Sequence, residues 1–196
     1  MTIDILMLSA AHPAEDVRIV QKQGAALAEA GYRVAHLAPD AGPRRSAFGV
    51  AILPGPAARG WGGRVGGIPA LAREAAALRP AAILAHEPDS WAAGLLAARR
   101  CGARLVLVVH EHYPSRLDPR LPPLLRPPAR AALRAACRAL AARADAVVVA
   151  KDGLDADFGG GSRCIAVRNY ATPAAVAPRR HEAGPLRLLH LGALGR

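Results

Sequence analysis

The 196-residue chain has few aromatic residues, about 4% of the total, so aliphatic side chains and alanine must build any core. Lysine occurs only at Lys22 and Lys151, and the formal charge of +11 therefore rests almost wholly on arginine. Cysteine is limited to Cys101, Cys137 and Cys164, an odd number with no Cys-x-x-Cys spacing. That pattern indicates neither a disulfide framework nor a zinc knuckle, and a reducing cytoplasm suits it best. The N-terminus passes from Met1 straight into an apolar strand, without the basic flank and cleavage site of a signal peptide. There is no uncharged apolar run of about 18 residues, so no membrane-spanning segment is expected.

What is present is a globular composition, 52% hydrophobic and 21% charged. The length suffices for one domain with a sizeable core, or one domain plus a fragment. The basic balance favours acidic partners such as phospholipid headgroups, nucleotide phosphates or nucleic acid. Nucleic acid is not expected among the partners, because no aromatic platform or recognised motif accompanies the arginines. Part of the arginine excess, with abundant Ala, Gly and Pro, also fits codon bias in a GC-rich genome.

Hydrophobic periodicity divides the chain into alternating strands and helices. Ile3 to Leu8 is a first strand, and the loop from Ser9 leads to Asp16, a candidate N-cap for a helix that stops at Gly31. Arg33 to Ala38 is a second strand, and this β-helix-β unit predicts a right-handed crossover between parallel strands. After a turn-rich stretch, Val50 to Leu53 is a short third strand. Pro54 to Gly67 carries six glycines and reads as a long mobile loop, either an acceptor lid or an ordinary surface loop. It lacks the strand-turn-helix context of a dinucleotide fingerprint.

Ile68 to Leu78 reads as a helix and Ala81 to Ala85 as a fourth strand. Asp89 or Ser90 then caps a helix from Trp91 to Arg100. Leu105 to Val109 is a fifth strand, buried on both faces, that delivers His110, Glu111, His112 and Tyr113 beyond its carboxyl end. Beyond a Pro- and Leu-rich stretch come a helix (Ala129 to Ala144), a strand (Ala146 to Ala150), a short helix (Asp152 to Phe158) and a last strand (Cys164 to Val167). Arg179 to Gly184 reads as linker and Leu186 to Leu191 as the start of a further strand. The expectation is a doubly wound, mainly parallel, Rossmann-like α/β sheet over residues 1–178, with 179–196 opening a second domain.

Several stretches resemble, in order and spacing, the N-terminal half of family 4-like retaining glycosyltransferases of the two-domain GT-B architecture. His12-Pro13 through Asp16-Val17-Arg18-Ile19 to Gly31 looks like that family's opening βα unit. His86-Glu87-Pro88-Asp89-Ser90 looks like its fourth-strand turn, and Val109-His110-Glu111-His112-Tyr113-Pro114 like its fifth-strand motif, with Val109 where Asp often stands. Ala144-Asp145-Ala146-Val147-Val148-Val149 and Asn169-Tyr170 resemble its closing strand and turn. The resemblance implies glycosyl transfer from a nucleotide-sugar donor, without a metal or other cofactor. It also implies that a donor-binding domain with a Glu-x7-Glu segment follows Gly192, where this sequence reaches Arg196. The chain is thus expected to hold mainly the acceptor half and to be inactive alone.

The same resemblance places His110 as the catalytic histidine facing the transferred sugar, a role imidazole suits because it donates or accepts near neutral pH. His12, Asp16, Arg18, His86, Asp89, Glu111 and His112 are then expected along the acceptor cleft. Read without the family, His110 equally fits a strand-end histidine bonding backbone. His12, His86, His110 and His112 all follow strand ends and so could converge, but no acidic ligand set has metalloenzyme spacing. Arg126, Arg130, Arg134 and Arg138 recur every four residues beside the apolar Leu121-Pro122-Pro123-Leu124-Leu125. They could dock on an anionic membrane surface carrying a lipid-linked acceptor, or form a plain solvated helix face. The expected location is cytoplasmic, peripheral on the inner face of the membrane. The expected partners are a nucleotide sugar, an acceptor glycan or lipid, and a donor-domain partner chain. The alternative is a non-catalytic acceptor-binding or membrane-docking subunit that needs a separate donor-binding chain.

Overall fold

Strand β1 (Ile5–Leu8) is buried along its whole length and forms the centre of the sheet. Its side chains alternate between two cores. Leu6 and Leu8 join one large apolar cluster, while Met7 and Ile5 face two smaller ones on the other side. Both faces of a parallel sheet must be covered, so this strand reads as a continuous apolar run rather than as an alternating one. The computed structural model describes residues 2–57, 60–159, 161, 163–168, 170 and 184–185.

On one side β1 pairs in parallel with β2 (Val34–Ala38), which pairs with β4 (Val50–Pro54). On the other side it pairs with β5 (Ala82–Ala85), followed by β6 (Arg104–Val109), β7 (Ala146–Val149) and β8 (Cys164–Ala166). An eighth strand, β3 (Arg45–Ala47), lies antiparallel at the edge beside β4. The order β3-β4-β2-β1-β5-β6-β7-β8 gives the mainly parallel, doubly wound α/β sheet expected from the sequence. Because the chain winds outward from β1 in both directions, the β1/β5 junction is its topological switch point, where such sheets open a crevice.

Three helices cover one face. Helix α2 (Gly60–Ala77), α3 (Pro88–Cys101) and α4 (Arg126–Ala141) supply Leu71, Ala72, Ala75, Trp91, Ala93, Ala97, Cys137 and Ala141 to the large core. The other face carries α1, which runs as a π-helix over Val17–Gly24 and as an α-helix over Ala25–Glu29. Ile19 and Val20 from this helix close the core with Met7, Val34, Val50 and Ile52. Asp145 fixes where β6 starts. Its carboxylate accepts from Leu105 N at 2.8 Å while its own N–H donates to Leu105 O at 2.8 Å.

Several boundaries differ from the sequence reading, among them α4, which runs three residues earlier than Ala129–Ala144, and the last short helix, which is confined to Asp155–Phe158. The turn-rich segment before β4 contains β3, and the two-residue turn Phe48-Gly49 joins them with positive φ at both positions (53° and 75°). A phenylalanine there carries none of the Asn-Gly or Asp-Gly signal that marks such turns. Helix α3 begins at Pro88 with Glu87 as its N-cap, rather than at Trp91. Gly60 to Gly67 is the first part of α2, not a mobile loop or lid, and Pro69 sits within the same helix. Glycine and proline there oppose helix formation, so packing decides. Leu71, Ala72 and Ala75 bury against α3 and the sheet, and Arg64 bonds Asp89 at the start of α3. The predicted strand at Leu186–Leu191, most of the linker before it, and Asn169 lie outside the described residues.

Two glycines in helices make opposite predictions. A Cβ at Gly24 would stand 2.7 Å from Val50 Cγ2 and 3.2 Å from Met7 Sδ, whereas one at Gly66 would meet nothing within 4 Å. Gly66→Ala gains up to about 1 kcal/mol of helix propensity. In Gly24→Ala the same gain is outweighed by overpacking of about 1–3 kcal/mol. Urea denaturation should therefore move the two midpoints in opposite directions; a Gly24→Ala midpoint at or above wild type would contradict this packing.

Candidate active site

Glu87 holds the carboxyl edge of the sheet together. Its buried carboxylate accepts from the backbone N–H groups of Ala10 (3.3 Å), Ala11 (3.1 Å) and His12 (3.0 Å) in the loop after β1. The same residue is the N-cap of α3, where Ser90 Oγ accepts from Glu87 N at 2.8 Å and donates to Glu87 O at 2.9 Å. Burial pushes the Glu87 carboxyl up, opposed by His12 and by the bonds from Ser90 and Ala10. The bonds join the loops after β1 and β5 across the switch point.

That junction brings three of the four strand-end histidines together. His86 is fully buried, and its Nδ1 lies 3.0 Å from His110 Nε2. The two rings are within 8° of parallel, and His12 meets His110 edge to face with centroids 5.5 Å apart. His12 also sits 3.6 Å from Glu87 Oε1 and 3.5 Å from Asp16 Oδ2. Burial pulls the His110 imidazole down to about 4, helped by Arg18 and His12 against Asp16. Burial and the neighbouring His110 likewise lower His86. Both rings are neutral at pH 7.

His112 is placed apart from these three: its Nε2 pairs with Asp157 Oδ2 at 3.0 Å, beside Arg134 on the same carboxylate. Among the described residues no group of three or more His, Cys, Asp or Glu side chains is arranged to hold a metal ion. Glu111 faces the cleft but is tied to Arg116 at 2.9 Å. Asp16 caps α1, accepting from Arg18 N (2.8 Å) and Ile19 N (3.0 Å). Burial alone would raise its carboxyl, and these N–H groups together with His12 and Arg18 hold it below the usual value.

Two cavities meet at His110. The first, of about 500 Å³, is a cleft bounded by His12, Glu87, Asp89, Tyr113 and the α2 residues Arg64, Val65 and Ile68. Arg64 grips Asp89 with two bonds of 2.6 and 3.0 Å and so supplies a charged wall. Tyr113 donates its hydroxyl to His86 O at 3.0 Å and packs edge to face on the buried Trp91. The second, of about 560 Å³, is a groove over the face that, among the described residues, α1 partly covers, floored by Val108 and Val148 and lined by Arg18, Lys22 and Arg168. No hydrogen bond or ion pair reaches the Arg18 guanidinium among the described residues.

Arg64, Glu87 and Tyr113 were not singled out as site residues from the sequence. Arg64 lay in the glycine-rich stretch read as loop. Glu87 did carry a signal, since an acid just before a proline with serine three residues after it is a reversed capping box. The arginine stripe of α4 is engaged by its own chain. Arg126 donates to Leu121 O (3.0 Å), Arg134 pairs with Asp157 (3.0 Å), Arg138 donates to Ala156 O (3.3 Å), and Arg130 is also engaged. Leu124 and Leu125 beside it stand out at 90% and 54% exposed. Among the described residues no helix is long and apolar enough to cross a membrane.

A buried histidine behind the site makes stability depend on acid. His36 lies between Ala14 O and Ser9 Oγ, both at 2.9 Å. A carbonyl only accepts, so Nδ1 carries the proton and Nε2 accepts from the serine. Burial pulls His36 from 6.5 down to about 4, against the raising effect of the Ala14 bond. Between those values the unfolded chain binds a proton that the folded chain refuses, so stability held above pH 6.5 is lost as pH falls through the window. Crossing all of it costs roughly 3 kcal/mol for His36 alone. Melting temperatures between pH 7.5 and 4.5 should fall with acid, and less steeply in His36→Gln. An equal slope in the two proteins would remove His36 as a cause.

No curated protein matches the chain. The sequence pattern of Glycosyltransferase Family 4 matches residues 17–155, from the first residue of α1 to the 3-10 turn Asp155–Phe158 after β7. That span is more than half of the chain and includes Arg18, Arg64, His86, Glu87, Asp89, His110 and Tyr113. The α/β sheet, the crevice at its switch point and the matched span agree: the chain belongs to Glycosyltransferase Family 4.

Proposed function

We propose that the chain is the acceptor-side domain of a retaining glycosyltransferase, which moves a sugar from a nucleotide-sugar donor to an acceptor glycan or lipid. The C1–oxygen bond to the diphosphate breaks, a bond from C1 to the acceptor oxygen forms, and the acceptor's proton leaves with the nucleoside diphosphate. The observation that carries the reading is the meeting of two cavities at His110, one strand from the switch point of a sheet whose family is known. The walled cleft, with Arg64, Asp89 and Glu111, suits an acceptor rich in hydroxyls. The groove holding Arg18 suits the anionic side of the donor, with a donor-binding domain or partner chain completing it. In such a site the rate gain comes mainly from positioning and from stabilising charge on the leaving group. Neither step calls on a metal ion or other cofactor.

The test is transfer from a panel of UDP-, GDP- and dTDP-sugars to lipid-linked and polysaccharide acceptors, with the chain alone and with a separately supplied family donor-binding domain. Transfer with retained anomeric configuration, reduced roughly hundredfold or more in His110→Ala, is the expected result. Transfer that survives His110→Ala unchanged would take His110 out of the reaction. Glycan binding with no transfer in either arrangement would favour a non-catalytic acceptor-binding subunit.

A second reading concerns location. We infer that the chain works at the cytoplasmic face of a membrane, supported by the exposed pair Leu124 and Leu125 next to the arginines of α4. Sedimentation with anionic vesicles should carry the protein down, and Leu124→Asp with Leu125→Asp should release it. Equal binding to neutral and anionic vesicles, or none to either, would rule docking out.

A further inference from the structure

His86 lies behind His110, fully buried and held at both backbone polar groups. Its N–H donates to Ser90 Oγ at 2.9 Å and its carbonyl accepts from the Tyr113 hydroxyl at 3.0 Å. Of the two nitrogens facing each other at 3.0 Å, His86 Nδ1 and His110 Nε2, one must donate and the other accept. The remaining nitrogen of His86, Nε2, is buried with no partner in either case.

The two arrangements leave different groups stranded. If His110 Nε2 donates, His86 carries its own proton on Nε2, and a buried N–H has nothing to bond. If His86 Nδ1 donates, the stranded group is only a lone pair, and His110 carries its proton on Nδ1. Stranded buried N–H donors are rarer in native proteins than under-used acceptors, so the second arrangement is favoured. His110 borders both cavities, and its Nδ1 has no hydrogen-bond partner among the described residues. The nitrogen that holds the proton is thus the one open to a ligand.

We propose that His86 is a positioning residue that fixes the tautomer of His110, so that His110 meets its ligand through Nδ1 as a hydrogen-bond donor and has no free lone pair. The inference rests on the reading of His110 as the sugar-facing residue, and it narrows that role. A donor at Nδ1 recognises an oxygen offering a lone pair, such as a sugar hydroxyl, a ring oxygen or a phosphate oxygen. It cannot take a proton from an acceptor hydroxyl, because its one lone pair is committed to His86. The neighbours that face His110 are His12, Asp16, Arg18 and His86, and burial keeps the ring neutral at pH 7, so the tautomer persists there.

The test is a long-range nitrogen–proton NMR spectrum of the full chain carrying ¹⁵N-histidine at about pH 7 without substrate, assigned with His110→Gln and His86→Gln. The expected result is a proton on Nδ1 of both His110 and His86. His86→Leu should release His110, so that its Nε2 gains a proton in part or in full. A wild-type His110 protonated on Nε2, or exchanging between the two forms, overturns the proposal. The wild-type spectrum decides this even where His86→Leu fails to fold. Because it needs no turnover, it is separable from the transfer assay. An Nε2 proton with transfer lost in His110→Ala sinks only the tautomer, whereas an Nδ1 proton with transfer unaffected sinks only the role in transfer.

Discussion

The carboxyl edge of this sheet depends on one buried carboxylate. Glu87 accepts three backbone N–H groups from the loop after β1 while it caps α3 at the end of β5. A buried acid is tolerable only when its lone pairs are used, and here N–H groups from two elements use them. The geometry that follows is local but consequential. His12 is drawn onto the loop that Glu87 holds, His86 immediately precedes the cap, and the rings of both reach His110 at the end of β6. Losing the carboxylate would strand three donors at once and release the loop that sets His12 against His110.

Behind this edge the histidines are neutral rather than charged, and His86 keeps one buried ring nitrogen without a partner. His36, His86 and His110 are all held uncharged by burial; Ser9 bonds the His36 ring, while Ser90 and Tyr113 hold the backbone of His86 and leave its ring to His110. A cluster of this kind is specific without being strong. Its bonds fix tautomers and ring planes, which matter to recognition more than to stability. The charges sit further out, with the Arg64–Asp89 pair walling the cleft and Arg18 edging the groove. His110 is the neutral group between them.

The sheet could be read from the sequence because its strands are apolar runs bounded by glycine, proline or polar turns, and a parallel sheet buried on both faces requires such runs. The expected convergence of strand-end residues followed from the topology alone for His12, His86 and His110. His112 shows where that logic stops, because a side chain two residues further on faces Asp157 instead. What could not be read depended on contacts distant in sequence. Glycines favoured a loop at Gly60–Gly67, and packing on α3 made it a helix. Phe48 at positive φ hid a hairpin, and Arg64 became a wall of the cleft only once α2 extended to its position.

Among the described residues the two faces of the sheet are unequally covered, and this bears on how one histidine could serve both a sugar donor and an acceptor. Three helices shield the face of Leu105, Leu107 and Val109, whereas Val108 and Val148 on the other face floor an open groove. His110 follows β6 directly, at the rim where both faces end. A ligand in the walled cleft reaches it from the covered side, and one in the groove from the open side, without either crossing the sheet. On the proposed function, that is the arrangement a transferred sugar needs, since its leaving group and its acceptor must both approach one carbon. A residue deeper in either cavity would meet only one of them. The rim position follows from the winding order, which puts β6 next to the strand beside β1, and the fixed tautomer is what makes a residue at that position a directed donor.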